Sequence, residues 1–585
     1  MHPKKTFESL SELPTMPSTI GTMAWNKTGE WRYLTPQVAN KQAPCSSACP
    51  AGEDTARIEM LNARGLFKEA WELILQENPF PGVCGRVCFH PCERVCNRRE
   101  FDHSIAIHTL ERFVADTTGR YHLKPNLERL PARPERIAIV GAGPSGLAAA
   151  WFMARLGYAC DVFESSAEVG GILRWGIPLY RLPISVLQRE VAQIEAFGPL
   201  IHTRRAINAK GLNDLLKSHQ AVYVACGHSK TTSLRIPGET HPAVLDGLSF
   251  LANLRTGEQP AVPGLSAVVG GGNTAVDVAR SLVRLGGKAL ILYRRRREDM
   301  PAFGDEVLTA LDEGVDLMEL VTPASIESAP GGCRIVLRRM RVKGSEGGRA
   351  RVEPHDALTC EVEVKRIFTA VGAQAADPWI EPPHSGAGLL SLGSCSLVQK
   401  NGAPPLIYGG DVYNDVKSVV HAIASGKQAA LSLDILFREG AEAVLPRLEA
   451  CRVGDGESLS MEAYMGGPRR QRSRRVVRYE EINTNYFHYS DRLVQPRLVL
   501  DERIRNFNEI ELPVPDDLAM QEAERCFNCG VCDQCDNCYL LCPDFSVIRD
   551  RVSGSRNINY DYCKGCGICD HECPRGIITM EEMGS

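Results

Sequence analysis

The chain is expected to be an α/β protein in which two doubly wound domains are flanked by cysteine-rich modules. Three observations predict this. An apolar run from Arg136 to Val140 leads straight into Gly141-Ala142-Gly143-Pro144-Ser145-Gly146. The same order of strand, glycine turn and helix returns between Leu265 and Asp277. Of 22 cysteines, six fall between Cys45 and Cys96 and ten between Cys526 and Cys573. In a reducing compartment, clustered cysteines serve metals more often than disulfides.

Length and composition set the frame. At 585 residues the chain is too long for one domain, and its net charge of −4 gives no hint of a nucleic-acid partner. No apolar run is long enough to span a bilayer. Met1 to Leu10 lacks the apolar core of a signal peptide, so a cytoplasmic location is expected.

Residues 1–44 are polar and irregular. Cys45-Ser-Ser-Ala-Cys49-Pro50 follows, then a helical stretch from about Asp54 to Gln76 with apolar residues at helical spacing. Cys84, Cys88, Cys92 and Cys96 are spaced four apart, but Pro91 makes one unbroken helix unfavourable. This ligand density suggests an iron–sulfur site. Zinc remains the competitor, because thiolate spacing alone does not name the metal. Three prolines between Pro125 and Pro134 mark a linker.

The first glycine turn has its full context. A helix begins at Leu147, and a second strand, Ala159 to Phe163, ends at Glu164, 23 residues after Gly141. Glycines let the backbone approach a pyrophosphate, the helix start offers unpaired N–H groups, and the acid can accept ribose hydroxyls. Downstream, Gly170-Gly171-Ile172-Leu173-Arg174-Trp175-Gly176-Ile177-Pro178 suits a loop lying against a flat cofactor, and Ala221 to Cys226 reads as a buried strand.

The second turn, Gly270-Gly271-Gly272-Asn273-Thr274-Ala275, has arginines where the first has its acid. The strand Ala289 to Tyr293 ends at Arg294 and Arg295. Arginine there can pair with a 2′-phosphate, which favours NADPH and leaves NADH open. Lys365 to Gly372 is a further apolar strand ending in a glycine turn. Gly409-Gly410-Asp411 then precedes a helix starting near Ser418 and Val419. Asp411 can hold ribityl or pyrophosphate oxygens, and the helix start can stabilise negative charge on a flavin. Residues 440–515 read as a linker. The six arginines from Arg469 to Arg478 read as a solvated basic segment, or as a docking surface for an acidic protein.

The C-terminus carries the bacterial ferredoxin run twice. Cys532, Cys535, Cys538 and Cys542-Pro543 are followed by Cys563, Cys566, Cys569 and Cys573-Pro574. In that scheme the fourth cysteine of each run serves the other cluster. One [4Fe-4S] cluster takes Cys532, Cys535, Cys538 and Cys573. The other takes Cys563, Cys566, Cys569 and Cys542.

With these residues in view, positions 40–440 resemble the small subunit of glutamate synthase and its relatives. Among these are the large subunit of NADH-dependent ferredoxin:NADP oxidoreductase and the N-terminal half of dihydropyrimidine dehydrogenase. Cys49-Pro50, Asn78 to Cys88, Leu110-Glu111-Arg112-Phe113, Gly170 to Pro178, Tyr293-Arg294-Arg295 and the glycine motifs carry the likeness. The resemblance implies FAD at Gly141–Gly146, with Gly227 and Gly410 beside it, and NAD(P)H at Gly270–Ala275, with Gly372 beside it. It implies a [4Fe-4S] cluster on Cys49, Cys88 and Cys92, with Glu111 as a non-cysteine fourth ligand. It implies two nested doubly wound domains, the NAD(P) one inserted in the FAD one. The expected boundaries are 1–130 for a helical iron–sulfur domain, 131–244 and 368–450 for FAD, 245–367 for NAD(P), 451–515 for a linker and 516–585 for a ferredoxin domain.

The implied activity is electron transfer between NAD(P)H and a redox protein, in a homodimer. The added ferredoxin module is similar to the oxidoreductase type associated with dissimilatory sulfite reductase. The alternatives are an electron-input subunit of glutamate synthase and a non-catalytic adaptor with relic sites. One departure stands out. The family has a Cys-x-x-Cys pair upstream of the position of Cys45, and this sequence has none. Glu522-Ala-Glu-Arg-Cys526-Phe-Asn-Cys529 resembles that missing segment. Cys526 and Cys529 are therefore expected to fold back and join Cys45 and Cys96 around a further cluster.

Overall fold

The computed structural model describes residues 9–12, 26–346, 349–383, 388–399, 402–550 and 552–582. Its N-terminal part is helical, with helices at Pro44–Ala48, Thr55–Asn62, Phe67–Glu77, Pro81–Val87, Pro91–Arg94 and Ile107–Arg120. The stretch expected as one helix from Asp54 to Gln76 is two, broken around Gly65, whose φ of 70° only glycine adopts readily. The row of four cysteines is likewise broken. His90 takes a left-handed φ of 52° and Pro91 restarts the chain as a new helix. Phe67–Glu77 buries Ala70, Trp71, Leu73, Ile74 and Leu75. These pack in one continuous core with Trp151 and Phe152 of the helix Pro144–Arg155. The indole N–H of Trp151 donates to the Leu75 carbonyl at 3.3 Å. Burying an aromatic of that size contributes about 1.5–3 kcal/mol, so the helical part is fused to its neighbour rather than tethered to it.

Two sheets organise the middle. The first has the strand order Leu389–Ser391, Cys395–Val398, Leu406–Gly409, Ala221–Val224, Arg136–Val140, Ala159–Phe163, Leu200–His202. Its last five strands run parallel. The second is parallel throughout, in the order Asp316–Glu319, Lys288–Tyr293, Leu265–Val269, Arg366–Thr369, Val244–Asp246. The second sheet therefore sits inside the sequence of the first, as nested domains require. It begins at Val244 and ends at Thr369, slightly outside the expected 245–367.

Three features were not expected. Val321–Ala329, Gly332–Glu346 and Arg349–Val364 form an antiparallel sheet of their own. Leu34–Val38 pairs antiparallel with Ile578–Glu582, so a segment read as irregular closes onto the ferredoxin end. The basic segment is solvated at Arg470, Arg474, Arg475 and Arg478, as expected, yet it is also anchored to the rest of the chain. Arg472 makes two 2.8 Å bonds to the Asp54 carboxylate, Arg474 pairs with Glu449 and Arg475 with Glu481. Arg469 is buried and donates to the Gly52 carbonyl. Breaking a buried pair of this kind costs about 3–5 kcal/mol, so residues 469–478 fasten the chain onto the N-terminal helices. Among the described residues no helix is long and apolar enough to cross a membrane.

Candidate redox site

At the first turn, Gly141 has a φ of 106° and a side chain there would strike the Ala225 carbonyl at 2.5 Å. A side chain on Gly146 would strike the Gly141 carbonyl at 1.9 Å. Both glycines are thus needed by the protein itself. Gly143 is different. A Cβ there would meet only Gly171, at 3.9 Å, so its face is open to a ligand. Pro144 and Ser145 open the helix beyond it. Glu164, buried at the end of its strand, accepts the Ala142 N–H at 2.9 Å and the Ser166 N–H at 2.8 Å, which fixes the carboxylate against the turn. A chain of buried hydroxyls runs from Ser145 to Tyr223 at 2.6 Å and on to Ser425 at 3.3 Å. The Ser425 hydroxyl accepts the Gly410 N–H at 2.8 Å. Tyr223 and Ser425 gave no sequence signal, because each looks like an ordinary strand or helix residue.

The other expected residues surround this turn. The Gly170 N–H donates to the Ala142 carbonyl at 2.8 Å, and Gly171 closes over Gly143. Arg174 pairs with Glu168 and lies over Trp175, while Ile177 is buried. Gly227 has a φ of 64° and open space on its Cβ side. Burial pushes the Asp411 carboxyl up, opposed by Lys417 and His228. Ser418 caps the helix Val419–Glu439, its hydroxyl accepting the His421 N–H at 3.3 Å.

The second turn repeats the logic. Gly270 has a φ of 145° beside the Ala370 carbonyl, whereas Gly272 faces nothing within 4 Å. Thr274 and Ala275 lie in the first turn of the helix Asn273–Arg284. Asn273 accepts the Phe303 N–H at 3.0 Å, and Gly372 accepts the Thr232 N–H at 2.9 Å. Of the two expected arginines, Arg294 is exposed and free to meet a ligand. Arg295 is not free in the same way, because its Nε donates to the Ala350 carbonyl at 2.9 Å.

The two turns and the N-terminal cysteines meet at Phe89. Its ring stacks on His421 at 5.7 Å and on Phe303 at 6.1 Å. One residue between Cys88 and Cys92 thus touches the helix start beside the first turn and the loop held by the second. Sequence reasoning missed this ring, since only the packing shows it.

Sixteen of the 22 cysteines gather into four sets, and all 22 are free thiols. Cys49, Cys88 and Cys92 lie in one another's electrostatic field. Glu111 joins Cys49 and Cys88, and so does Cys84 on its side of Cys88. Burial, then the neighbouring carboxylates of Glu53 and Glu190, push Glu111 well above the ordinary range. Cys538 is pushed up to about 12 by burial and by Cys573, Cys532 and Cys535 around it. Cys569 is likewise pushed up to about 12 by burial, Cys563 and Cys566. Cys542 lines one cavity with Cys563, Cys566 and Cys569. Cys45, Cys96, Cys526 and Cys529 form the remaining set.

This donor chemistry fits clusters better than single ions. Thiols crowded and buried this way ionise only with a cation to share. Tetrahedral zinc with bonds near 2.3 Å holds its sulfurs about 3.8 Å apart. Among the described residues, the set whose ligand atoms close to within 4.8 Å is His90, Glu93 and His108, not a set of cysteines. No three cysteine sulfurs among the described residues come that close together.

Comparison with known proteins agrees. Residues 38–122 match the family described as dihydropyrimidine dehydrogenase domain II, 4Fe-4S cluster, and residues 135–426 match pyridine nucleotide-disulphide oxidoreductase. The beta subunit of NADP(+)-dependent formate dehydrogenase from Moorella thermoacetica is 33% identical over 83% of this chain and 70% of its own. The beta subunit of NADPH-Fe(3+) oxidoreductase from Geobacter sulfurreducens is 30% identical over 83% of this chain and 75% of its own. The NAD-dependent dihydropyrimidine dehydrogenase subunit PreT of Escherichia coli is 32% identical over 66% of this chain and 89% of its own. The chain belongs to this family of NAD(P)H-linked oxidoreductases that combine a flavin fold with iron–sulfur domains.

Proposed function

We propose that the chain is the nucleotide-facing unit of an electron-transfer enzyme. Gly270–Ala275 would hold NADPH, Gly141–Gly146 would hold the FAD that takes up its two electrons, and the cysteine sets would hold iron–sulfur clusters leading to a protein partner at the ferredoxin end. The observation that carries this reading is the Phe89 contact, which brings nucleotide turn, flavin turn and cysteine loop to one place. FAD, when bound, supplies the exchange between two-electron hydride chemistry and one-electron cluster chemistry.

The protein's own residues bind and orient. Gly143 and the helix start at Pro144–Ser145 receive the flavin pyrophosphate, and Glu164 the ribose. Gly171, Arg174, Ile177, Gly227, Gly410, Asp411, Ser418 and Val419 enclose the rest. Gly270, Gly272, Asn273, Thr274, Ala275 and Gly372 receive the second nucleotide, and Arg294 reads its 2′-phosphate with Arg295 behind. NADPH is favoured over NADH by the exposure of Arg294 and by the names of the two relatives above. Cys49, Cys88, Cys92 and Glu111 hold the flavin-side cluster. Cys532, Cys535, Cys538 and Cys573 hold a second, and Cys563, Cys566, Cys569 and Cys542 a third.

The same geometry serves NADP⁺ reduction when the partner is the stronger reductant. Exposed Leu540, Leu541 and Phe545 flank Cys542 and offer the partner an apolar landing. The partner in this reading is a ferredoxin or a sulfite reductase-like enzyme in the cytoplasm, served by a dimer of this chain. The ferredoxin module speaks against the glutamate synthase alternative, and the open faces at Gly143 and Gly272 speak against relic sites. Anaerobic titration tests the reading. The purified chain should carry one FAD and be bleached by NADPH. A protein without flavin, or one that neither nucleotide reduces, overturns it.

A further inference from the structure

Four cysteines from opposite ends of the chain converge on one place. Cys45 lies in the helix Pro44–Ala48, Cys96 leads into the turn Asn97–Glu100, and Cys526 and Cys529 follow the helix Asp516–Glu524. All six pairings among them are within electrostatic reach: Cys45 with each of the others, Cys526 with Cys529 and Cys96, and Cys529 with Cys96.

The approach is fastened on every side. Arg98 donates to the Arg525 carbonyl at 2.8 Å, and the Asn528 side chain to the Ala56 carbonyl at 2.9 Å. The Lys41 N–H donates to the Gly530 carbonyl at 2.8 Å. Arg525 pairs in turn with Asp102 at 3.0 Å and Glu522 at 2.8 Å, and all three are buried. The Asn97 amide sits 3.6 Å from the Cys529 sulfur. Phe527, between the two late cysteines, is buried against Phe101 and Phe487. Such a set of buried interactions is not a chance contact between a tail and a surface.

We infer that Cys45, Cys96, Cys526 and Cys529 ligate a fourth [4Fe-4S] cluster, built jointly by the two ends of the chain, and that it is the electron bridge between the flavin side and the ferredoxin-type pair. This rests on the electron-transfer reading above. Four thiolates are the ordinary ligand set of such a cluster, and no three of these sulfurs lie within 4.8 Å of one another, wider than the roughly 3.8 Å of tetrahedral zinc.

Position argues for the bridge. On one side, Cys45 is a single helical turn from Cys49, whose N–H donates to the Cys45 carbonyl at 3.1 Å. Cys96 is four residues beyond Cys92, and Cys92 lies in the field of Cys45. On the other side, Cys529 precedes Cys532 by three residues, which holds their Cα atoms within about 11 Å. Beyond that, Cys538 neighbours Cys569 and so joins the two ferredoxin-type sets. The four sets are therefore linked, neighbour to neighbour, from the Cys88–Phe89 loop to the exposed Cys535 and Cys566.

The electrons balance. Each NADPH oxidised gives up a hydride. Its two electrons cross the bridge singly, and the flavin's proton goes to solvent. The two ferredoxin-type clusters each take one electron and return it to an oxidised protein partner.

The experiment uses the full chain, purified anaerobically. Wild type should contain about sixteen irons per chain, against about twelve without the fourth cluster. Cys526→Ser with Cys529→Ser should remove about four irons and keep the flavin. NADPH should then fail to reduce the ferredoxin-type clusters, which dithionite still reduces. Cys45→Ser, in a segment remote along the chain, should lose the same irons and the same reduction, and it decides the matter if the double variant does not fold. A wild type with about twelve irons overturns the cluster. Variants that lose four irons yet pass electrons from NADPH at the wild-type rate overturn the bridge. If NADPH fails to bleach the flavin of the wild type, the proposed function falls while the iron count still stands.

Discussion

The two glycine turns are alike in backbone and unlike in what surrounds them. Gly143 and Gly272 have nearly the same dihedrals, φ −80° and ψ −176° against φ −88° and ψ 174°, and each stands at the start of a helix with its Cβ side open. The first turn is then closed in. Glu164 is bonded onto it, Gly171 lies over Gly143, and Gly410 approaches so closely that a side chain there would meet Ser145 at 2.9 Å. The second has the exposed Arg294 at the equivalent strand end. On the function proposed above, the clamped turn would suit a resident group and the open one an exchanging nucleotide.

The largest effect should come from filling the open faces. Both glycines have dihedrals that any residue adopts, and a Cβ would make only an ordinary 3.9 Å contact with Gly171 at the first and none within 4 Å at the second, so the backbone admits a side chain at each. Gly143→Val should abolish flavin binding, seen as a colour loss at 450 nm or thereabouts, with all NADPH oxidation lost. Gly272→Val should keep the flavin and raise the KM for NADPH steeply. Loss of flavin from the Gly272 variant would reverse the assignment of the two sites.

Next in size is the strand-end charge. A charge-assisted pair with a phosphate is worth about 1.5–3 kcal/mol, or roughly 10- to 100-fold in affinity. Arg294→Ala should weaken NADPH by that factor and leave NADH nearly unchanged. Arg295→Ala should cost much less, because its guanidinium already serves the Ala350 carbonyl. Equal losses for both nucleotides would show that Arg294 does not read the 2′-phosphate.

The smallest effect belongs to Glu164→Gln. The amide oxygen can still accept the Ala142 N–H, while the half-buried Ser166 N–H, bonded to the other carboxylate oxygen, must turn to water. Exchanging a charge-assisted for a neutral bond costs about 1 kcal/mol, or roughly 5-fold in flavin dissociation. A loss as great as that of Gly143→Val would mean that Glu164 shapes the turn as well as holding the ribose.

What the sequence showed and hid follows from distance along the chain. Both glycine turns and both ferredoxin runs were legible because their chemistry is written in residues a few positions apart. The Arg469–Arg478 segment misled because composition reports charge and not its partner. Asp54 lies more than four hundred residues earlier and turns a soluble-looking run into a buried clasp. The hairpin Gly332–Glu346 with Arg349–Val364 was legible but passed over: Leu358, Cys360, Val362 and Val364 alternate with polar residues, and Cys333, Ile335 and Leu337 are buried at every second position. Phe89 was passed over because a lone aromatic in a loop carries no period at all.

The antiparallel pairing of Leu34–Val38 with Ile578–Glu582 has a consequence in time. A ribosome working at about 5–20 residues per second needs roughly half a minute to two minutes to span the interval between those strands. Throughout it the early strand is an unpaired edge, open to any other extended chain nearby. The strand Leu34–Val38 is therefore among the last parts of the fold to find its partner, although it is among the first to be made.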